Sequence, residues 1–438
     1  VPPTDLDLPR LERRLRASGA SGLLPARLAA SVRLAGEPVV RDGLPLSGDA
    51  VLAVVDCGGE TVITPVVVRD GELRRARAGD GAFAAIAEVL AAGTPVGRFV
   101  PRPFGPVPTG GDERAIDVDQ SNDSMVVGDA AVVKVYARTT PGPQPGLDLP
   151  AHLAAVGFAR TPTPHGVLVW EGASDRPTLL ASVTRYLPGA TDGWDWYVAL
   201  LLRWLDGDAS DVEVHAPAAE IGALVADLHR ALATPSEVFP TPVTTAGRDA
   251  VAAWRARAEA TLAEALEVAV EETRPRLQAL APRVGPAFDA FDAVDETPVL
   301  RIHGDLHVGQ VLRSGEGYAV SDLDGNPLAP PVERVRPDAA ARDVASMARA
   351  IDHVGRVAQR RRPERDGEVE GWIAEARGGF LEAYRVGLGP EAHLFDERLL
   401  FPFEVAQECH EHVYAARYLP RWSYVPDRAL PALLEASA

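Results

Sequence analysis

The chain has 438 residues, more than one hydrophobic core usually organises, so two or three packed units are expected. Acidic residues outnumber basic ones, 62 to 44, and the formal net charge of −18 opposes non-specific binding to nucleic acid. No apolar run approaches the roughly 18 residues of a membrane span, and the first residues lack the basic and apolar regions of an intact signal peptide, so the expectation is a cytoplasmic protein with no membrane partner.

Residues 1–100 begin with a predicted helix over Leu8 to Ala17. Short strands follow at Val51–Val55 and Val62–Val68, punctuated by Gly58-Gly59 and Asp70-Gly71, as a small antiparallel sheet requires. A helix over Gly81 to Ala92 places Phe83, Ile86, Val89 and Leu90 on one face. The stretch Pro101 to Gly111, dense in Pro and Gly, reads as a connector. Residues 112–195 form a second mixed unit. In it Met125–Val127 and Ala131–Tyr136 make a hairpin across Gly128-Asp129, and Val167–Trp170 and Leu179–Tyr186 add strands. Helices dominate 196–438. One stripe runs Ile221, Leu224, Val225, Leu228 and Leu232, another starts Val344, Met347, Ala348 and Ile351, and the last helices span Ala374 to Arg385 and Glu397 to Arg417. Cys57 and Cys409 stand far apart and read as reduced thiols.

The densest chemistry is Arg301-Ile-His-Gly-Asp-Leu-His-Val-Gly-Gln310, followed by Asp322-Leu-Asp-Gly325. Asp305, Gln310, Asp322 and Asp324 fall within a short span rich in turn-formers. Phosphoryl transfer needs that inventory: a carboxylate to orient and deprotonate a hydroxyl, and oxygen donors to hold magnesium against nucleotide phosphates. The plainer reading is a polar hairpin between strands Val299–Ile302 and Tyr318–Ser321. Glu404, Glu408 and Glu411 fall at i, i+4 and i+7 of one helix, so three carboxylates share a face. Like charges repel unless a cation answers them, either a ligand ammonium or Arg417 and Arg421. Trp422 follows shortly after this face, and His410 and His412 read as surface residues.

These residues carry a resemblance. His303-Gly-Asp-Leu-His307, Gln310 and Asp322 resemble the catalytic and metal-binding segments of aminoglycoside-phosphotransferase-like kinases. Gln120-Ser-Asn122 before a Val-rich hairpin, Lys134 in its second strand, Arg336-Pro-Asp338, Arg342-Asp-Val-Ala345 and Val413-Tyr-Ala-Ala-Arg-Tyr418 extend it over most of the chain. The fuller string is similar to actinobacterial maltokinases. It departs from them at Asp322-Leu-Asp-Gly-Asn-Pro327 and Leu419-Pro-Arg-Trp-Ser-Tyr424, where maltokinases carry Asp-Phe-Glu-Gly-Glu-Pro and Asn-Arg-Pro-Asp-Trp-Leu. The pattern looks closer to the maltokinase-like glucosamine kinases.

That resemblance implies an α+β, bilobal protein-kinase-like fold: an N-terminal cap domain (1–100), an ATP-binding subdomain (112–195) and a mostly helical C-lobe (196–438). It implies ATP and Mg2+ as cofactors and glucosamine as the small-molecule acceptor at its 6-hydroxyl. A maltokinase, an aminoglycoside phosphotransferase and a non-enzymatic pseudokinase are the alternatives. Asp305 is the expected base, and Gln310 and Asp322 the magnesium ligands. Asp324 reads either as a further ligand or as a turn residue. Lys134, the only lysine of the chain, meets an ATP phosphate with Asp148 as its carboxylate. Gln120, Ser121 and Asn122 cover phosphates, and Val183 and Tyr186 belong to an adenine-contacting hinge. Glu404, Glu408, Glu411 and Trp422 are the expected sugar contacts.

Overall fold

Alternating and continuous apolar runs build the first part of the chain in the computed structural model, which describes residues 7–18, 20–25, 36–69, 71–116, 122–139, 143–172 and 177–436. Helix α1 (Leu8–Ser18) precedes strands β1 (Val39–Pro45), β2 (Ala50–Cys57), β3 (Glu60–Arg69) and β4 (Glu72–Arg75), which pair antiparallel in sequence order. Leu11 and Leu15 of α1 pack with Val40, Val55 and Val62 on one face of this sheet. The opposite face is buried too, which is why β2 reads as a near-continuous apolar run.

Helix α2 (Ala82–Ala92) leads into a six-stranded sheet. Its strands are β5 (Phe99–Pro103), β6 (Glu113–Ala115), β7 (Asp123–Val127), β8 (Ala131–Val135), β10 (Pro164–Trp170) and β11 (Thr178–Arg185), in the order β5-β10-β11-β8-β7-β6. The short β9 (Arg138–Thr139) returns to pair with β3. Leu52, Val54 and Ile63 of the first sheet, Phe83 and Ile86 of α2, and Val133, Leu168 and Val183 of the second belong to one buried cluster. The two stretches read separately as 1–100 and 112–195 thus share a core. They form one compact unit, Val1–Pro188 with Leu328–Val335, and Gly189–Pro327 with Arg336–Ala438 form the other.

A long-range cap ties the first unit together. Helix α2 begins at Gly81 with no side chain of its own to receive its first amides. Glu113 of β6 supplies the acceptor: its carboxylate takes the amides of Gly79, Gly81, Phe83 and Ala84 at 2.7–3.0 Å. A carboxylate there answers both the unpaired amides and the positive end of the helix dipole.

Two expectations need correction here. The predicted connector Pro101 to Gly111 starts inside β5, whose one neighbour is β10. An edge strand tolerates Pro101 and Pro103 because their missing amides face no partner strand. Val299 and Tyr318, read as two strands of one hairpin, lie in different ladders. Strand β13 (Glu296–Leu300) pairs with β12 (Val243–Gly247), and β14 (Val311–Ser314) pairs with β15 (Gly317–Val320).

The second unit is helical around these ladders: α3 (Pro145–Ala155) belongs to the first unit, and α4 (Gly193–Leu205), α5 (Asp211–Leu232), α6 (Arg248–Val268) and α7 (Arg274–Ala287) to the second. They are followed by α8 (Ala340–Arg361), α9 (Asp366–Leu388), α10 (Leu400–Tyr418) and α11 (Tyr424–Ala436). Ser210 and Glu213 form a reciprocal capping box that starts α5. Helix α8 is buried along nearly its whole length, including Asp343, Arg349, Asp352, His353 and Arg356. No helix among the described residues is long and apolar enough to cross a membrane.

Candidate active site

The loop after β13 is held by its main chain. Asp343, fully buried near the start of α8, accepts the amide of His303 at 2.8 Å and that of Gly304 at 2.9 Å. His229 of α5 approaches the same carboxylate at 3.3 Å through Nε2, and Tyr384 of α9 lies 2.8 Å from its Nδ1. The arrangement suits a ring protonated at Nε2, donating to Asp343 and accepting from the tyrosine hydroxyl. Burial works against charge on Asp343, yet these hydrogen bonds hold its carboxyl below the usual carboxylate range. No sequence motif marks His229 or Tyr384, and Asp343 stands in the sequence only as part of Arg342-Asp-Val-Ala345. A His on the buried face of an amphipathic helix was the available signal.

The second fastening joins the two acidic segments. His303 Nε2 donates to Ser321 O at 2.9 Å, and Ser321 sends its amide to Gln310 O at 2.8 Å. Asp305, Gln310 and Asp322 are thereby brought to one loop cluster. Burial raises the carboxyl of Asp305 above its ordinary value; His307 and His303 oppose that shift, Asp322 adds to it and His410 opposes it. Asp322 has φ of 58°, the one positive value outside glycine among the described residues. Asp tolerates that conformation better than most residues, at some cost in strain. Asp324 lies one residue past the buried Leu323 and is partly exposed.

His307 serves as scaffold: its Nδ1 accepts the amide of Gly309 at 3.0 Å, and its Nε2 lies 3.4 Å from the Gln310 side-chain amide. The described residues contain no group of three His, Cys, Asp or Glu able to hold a metal by themselves. Gln310 and Asp322 supply an amide and a carboxylate oxygen, a donor set that fits magnesium, which takes few protein ligands and completes its shell with phosphate oxygens and water.

The predicted nucleotide residues lie in the first unit. Lys134 is partly buried on β8, between Val133 and Val135, with its ammonium 5.1 Å from the Tyr136 ring. Asp148 occupies the first turn of α3, which starts with Pro145 at a position where a missing amide costs nothing. Asn122 accepts the Ala137 amide at 3.3 Å. Gln120 and Ser121 lie outside the described residues. Val183 does not suit a main-chain adenine contact. It is buried inside β11 and in register with Val133 on one side and Gly166 on the other, so its amide and carbonyl are committed to the sheet. Tyr186 follows the strand, donates its amide to Ala130 O at 2.9 Å and carries the Arg114 guanidinium over its ring.

The acidic face of α10 divides. Glu404 is fully buried and paired with Arg377 at 2.7 Å and Arg349 at 3.2 Å. Glu408, also buried, accepts from His353 Nε2 at 2.9 Å and lies 3.7 Å from Arg349. Burial opposes the His353 charge, but Glu408 raises the ring above the ordinary histidine value. The answering cations therefore come from α8 and α9 and not from Arg417, which pairs with Glu264 at 2.6 Å. These contacts make Glu404 an internal ion pair, whereas Glu408 is engaged through Oε1 and its buried Oε2 has no hydrogen-bond partner among the described residues. Glu411 differs. It sits nearer the end of α10, where Pro420–Trp422 folds back, and accepts from Trp422 Nε1 and Gln407 Nε2, each at 3.1 Å. Both donors are neutral. The histidines were misjudged: His412 is buried, which pushes its ring down to about 4, and His410 is partly buried within range of Asp305.

A loop carboxylate beside a metal-suited amide and carboxylate, joined through their main chains, is a phosphotransferase arrangement. Residues 112–374 match the phosphotransferase enzyme family. The chain belongs to that family. It is similar to a glucosamine kinase of Streptacidiphilus jiangxiensis, 44% identical over 383 residues, 85% of each protein. A glucosamine kinase of Mycolicibacterium smegmatis is 38% identical over 402 residues, covering 90% of this chain and 98% of that one. A solved glucosamine kinase in complex with glucosamine, ADP and inorganic phosphate superposes with a TM-score of 0.78 at 38% identity, over 95% of this chain and 99% of that one. The phosphotransferase fold and an ATP-dependent phosphotransferase activity follow.

Proposed function

We propose that this phosphotransferase is a glucosamine kinase, moving the γ-phosphoryl group of ATP to the 6-hydroxyl of glucosamine. The observation that carries this reading is the near-full-length likeness to glucosamine kinases, one of them solved with glucosamine, ADP and phosphate. The acceptor end supports it. Glu411 accepts hydrogen bonds from two neutral donors, with His353 within electrostatic range, so a sugar ammonium can add to its countercharge, and Trp422 lies beside it to cover a pyranose ring.

In this reading Asp305 aligns the acceptor hydroxyl and takes its proton as the oxygen–phosphorus bond forms. Gln310 and Asp322 hold magnesium, with Asp324 beside them; the bound ion would neutralise charge on the phosphates. Lys134 binds a phosphate of ATP and Asp148 supports it. His303 and His307 keep the loop in shape through their hydrogen bonds. A cytoplasmic setting, where ATP is plentiful and the unpaired Cys57 and Cys409 stay reduced, belongs to the same reading.

The test is coupled ADP release with glucosamine, maltose and kanamycin offered separately. Glucosamine should turn over well above the other two. Equal and negligible turnover with all three rejects the reading, and preference for maltose or kanamycin replaces it.

A further inference from the structure

The N-terminus of α4 is built against the catalytic loop. Asp192 caps the helix by accepting the amides of Trp194 at 2.8 Å and Asp195 at 3.2 Å. Gly193 allows close approach to the loop: a side-chain carbon there would lie 2.1 Å from Val308 O. Gly309 does the same from the other side, where a side-chain carbon would meet His307 and Trp194 at 2.8 Å. Two glycines thus let one aromatic side chain settle on the segment between Asp305 and Gln310.

That side chain touches both ends of the site. The Trp194 ring lies 5.3 Å from Trp422 in an edge-on contact at 84°, and 6.3 Å from His307. Trp422 is further bounded by His353 at 6.1 Å and Tyr424 at 6.2 Å, and Glu411 holds its indole N–H. Trp194 is therefore the aromatic contact joining Trp422 to the loop that carries the base and the metal-suited amide.

The geometry points to Trp194 as a positioning residue for the acceptor: it fixes the Trp422 ring and sets the sugar's place relative to Asp305. This inference rests on the reading of Glu411 and Trp422 as the acceptor wall. An edge-on aromatic pair contributes beyond simple burial, and its loss leaves Trp422 free to tilt. The effect belongs to sugar binding and alignment, because the rings that Trp194 meets, Trp422 and His307, are not among the residues assigned to the nucleotide.

The test compares Trp194→Leu, which keeps apolar bulk without an aromatic edge, with Trp194→Phe, which keeps the edge. Melting temperatures establish that both fold, and KM is measured separately for glucosamine and ATP. Trp194→Leu should raise the glucosamine KM about tenfold and leave that of ATP within about twofold, while Trp194→Phe restores most of the loss. Adding Trp422→Ala to Trp194→Leu should cost much less than the product of the single effects, since both remove one shared contact. A wild-type glucosamine KM in Trp194→Leu overturns the inference. So do equal rises for both substrates, or fully multiplicative single effects. Wild-type protein that ignores glucosamine overturns the proposed function and this inference together; an active wild type with an unaffected Trp194→Leu variant overturns the inference alone.

Discussion

Asp343 and His303 meet at 2.8 Å, carboxylate oxygen to main-chain amide, forty positions apart in sequence and fully inside the second unit. That contact and its neighbour at Gly304 set where Asp305 points. In Asp343→Asn one carboxylate oxygen becomes an NH2 group facing an N–H or the His229 ring, leaving a buried donor unmatched. We expect a stability loss of about 1–3 kcal/mol and a fall in kcat of about a hundredfold from misplacement of the base. Thermal melts and steady-state rates measure the two. A variant with normal kcat would show that the loop keeps its shape without this anchor.

Asp305→Ala removes the base while leaving the anchor intact. Turnover should drop by about 10²–10⁴-fold, with folding and ATP affinity nearly unchanged. The assigned role also carries a pH sign. Burial raises the Asp305 carboxyl, so the proton is retained to higher pH than in an ordinary aspartate. Since the ionised form does the work, kcat/KM should be full on the alkaline side. It should fall as pH drops through a value above the ordinary ~3.9 of aspartate. A profile flat down to that ordinary value would remove Asp305 as the titrating base.

Much of this was legible because the catalytic string is local. His303, Asp305 and Gln310 are close in sequence, and turn-formers force them together whatever the rest of the chain does. Period-two and period-3.6 apolar patterns likewise placed β2, β3, β7, β8, α2, α5 and α8 within a few residues. What stayed hidden depends on distant partners. Helical spacing put Glu404, Glu408 and Glu411 on one face, but it does not say that Arg349, Arg377 and His353 wait opposite the first two. Nor could it reveal that Asp192 and Gly193 seat Trp194 against the loop. The Pro-rich start of β5 defeated local reading because only its edge position makes proline tolerable there.

Glu404 and Glu411 should separate by function in substitution. Glu404→Gln removes the carboxylate that Arg349 and Arg377 share, while Arg349 keeps Asp352 at 3.5 Å and Glu408 at 3.7 Å, so stability should fall by about 1–3 kcal/mol, with the glucosamine KM of the folded fraction little changed. Glu411→Gln keeps the shape and the contacts with Trp422 and Gln407 but removes the charge. Its stability should be nearly normal and its glucosamine KM about ten- to a hundredfold higher, as expected when a charged hydrogen bond becomes neutral. Melting curves and acceptor titrations distinguish the pair. The opposite pattern would move the ammonium subsite along α10 to Glu404.

Lys134 allows a chemical test because no other residue of the chain carries a side-chain amine. An amine-selective acylating reagent has two amine targets, this side chain and the chain's α-amino group, and peptide mapping tells the two apart. Buried Val133 and Val135 flank it on β8, so the ammonium is the one charge in an apolar strand. If it binds an ATP phosphate, ATP with magnesium should slow acylation at Lys134 and leave the α-amine rate unchanged. Lys134→Met should in parallel raise the KM for ATP about ten- to a hundredfold, the loss expected for a charge-assisted hydrogen bond. Equal acylation rates with and without ATP, in protein shown to bind the nucleotide, would take Lys134 out of the phosphate site.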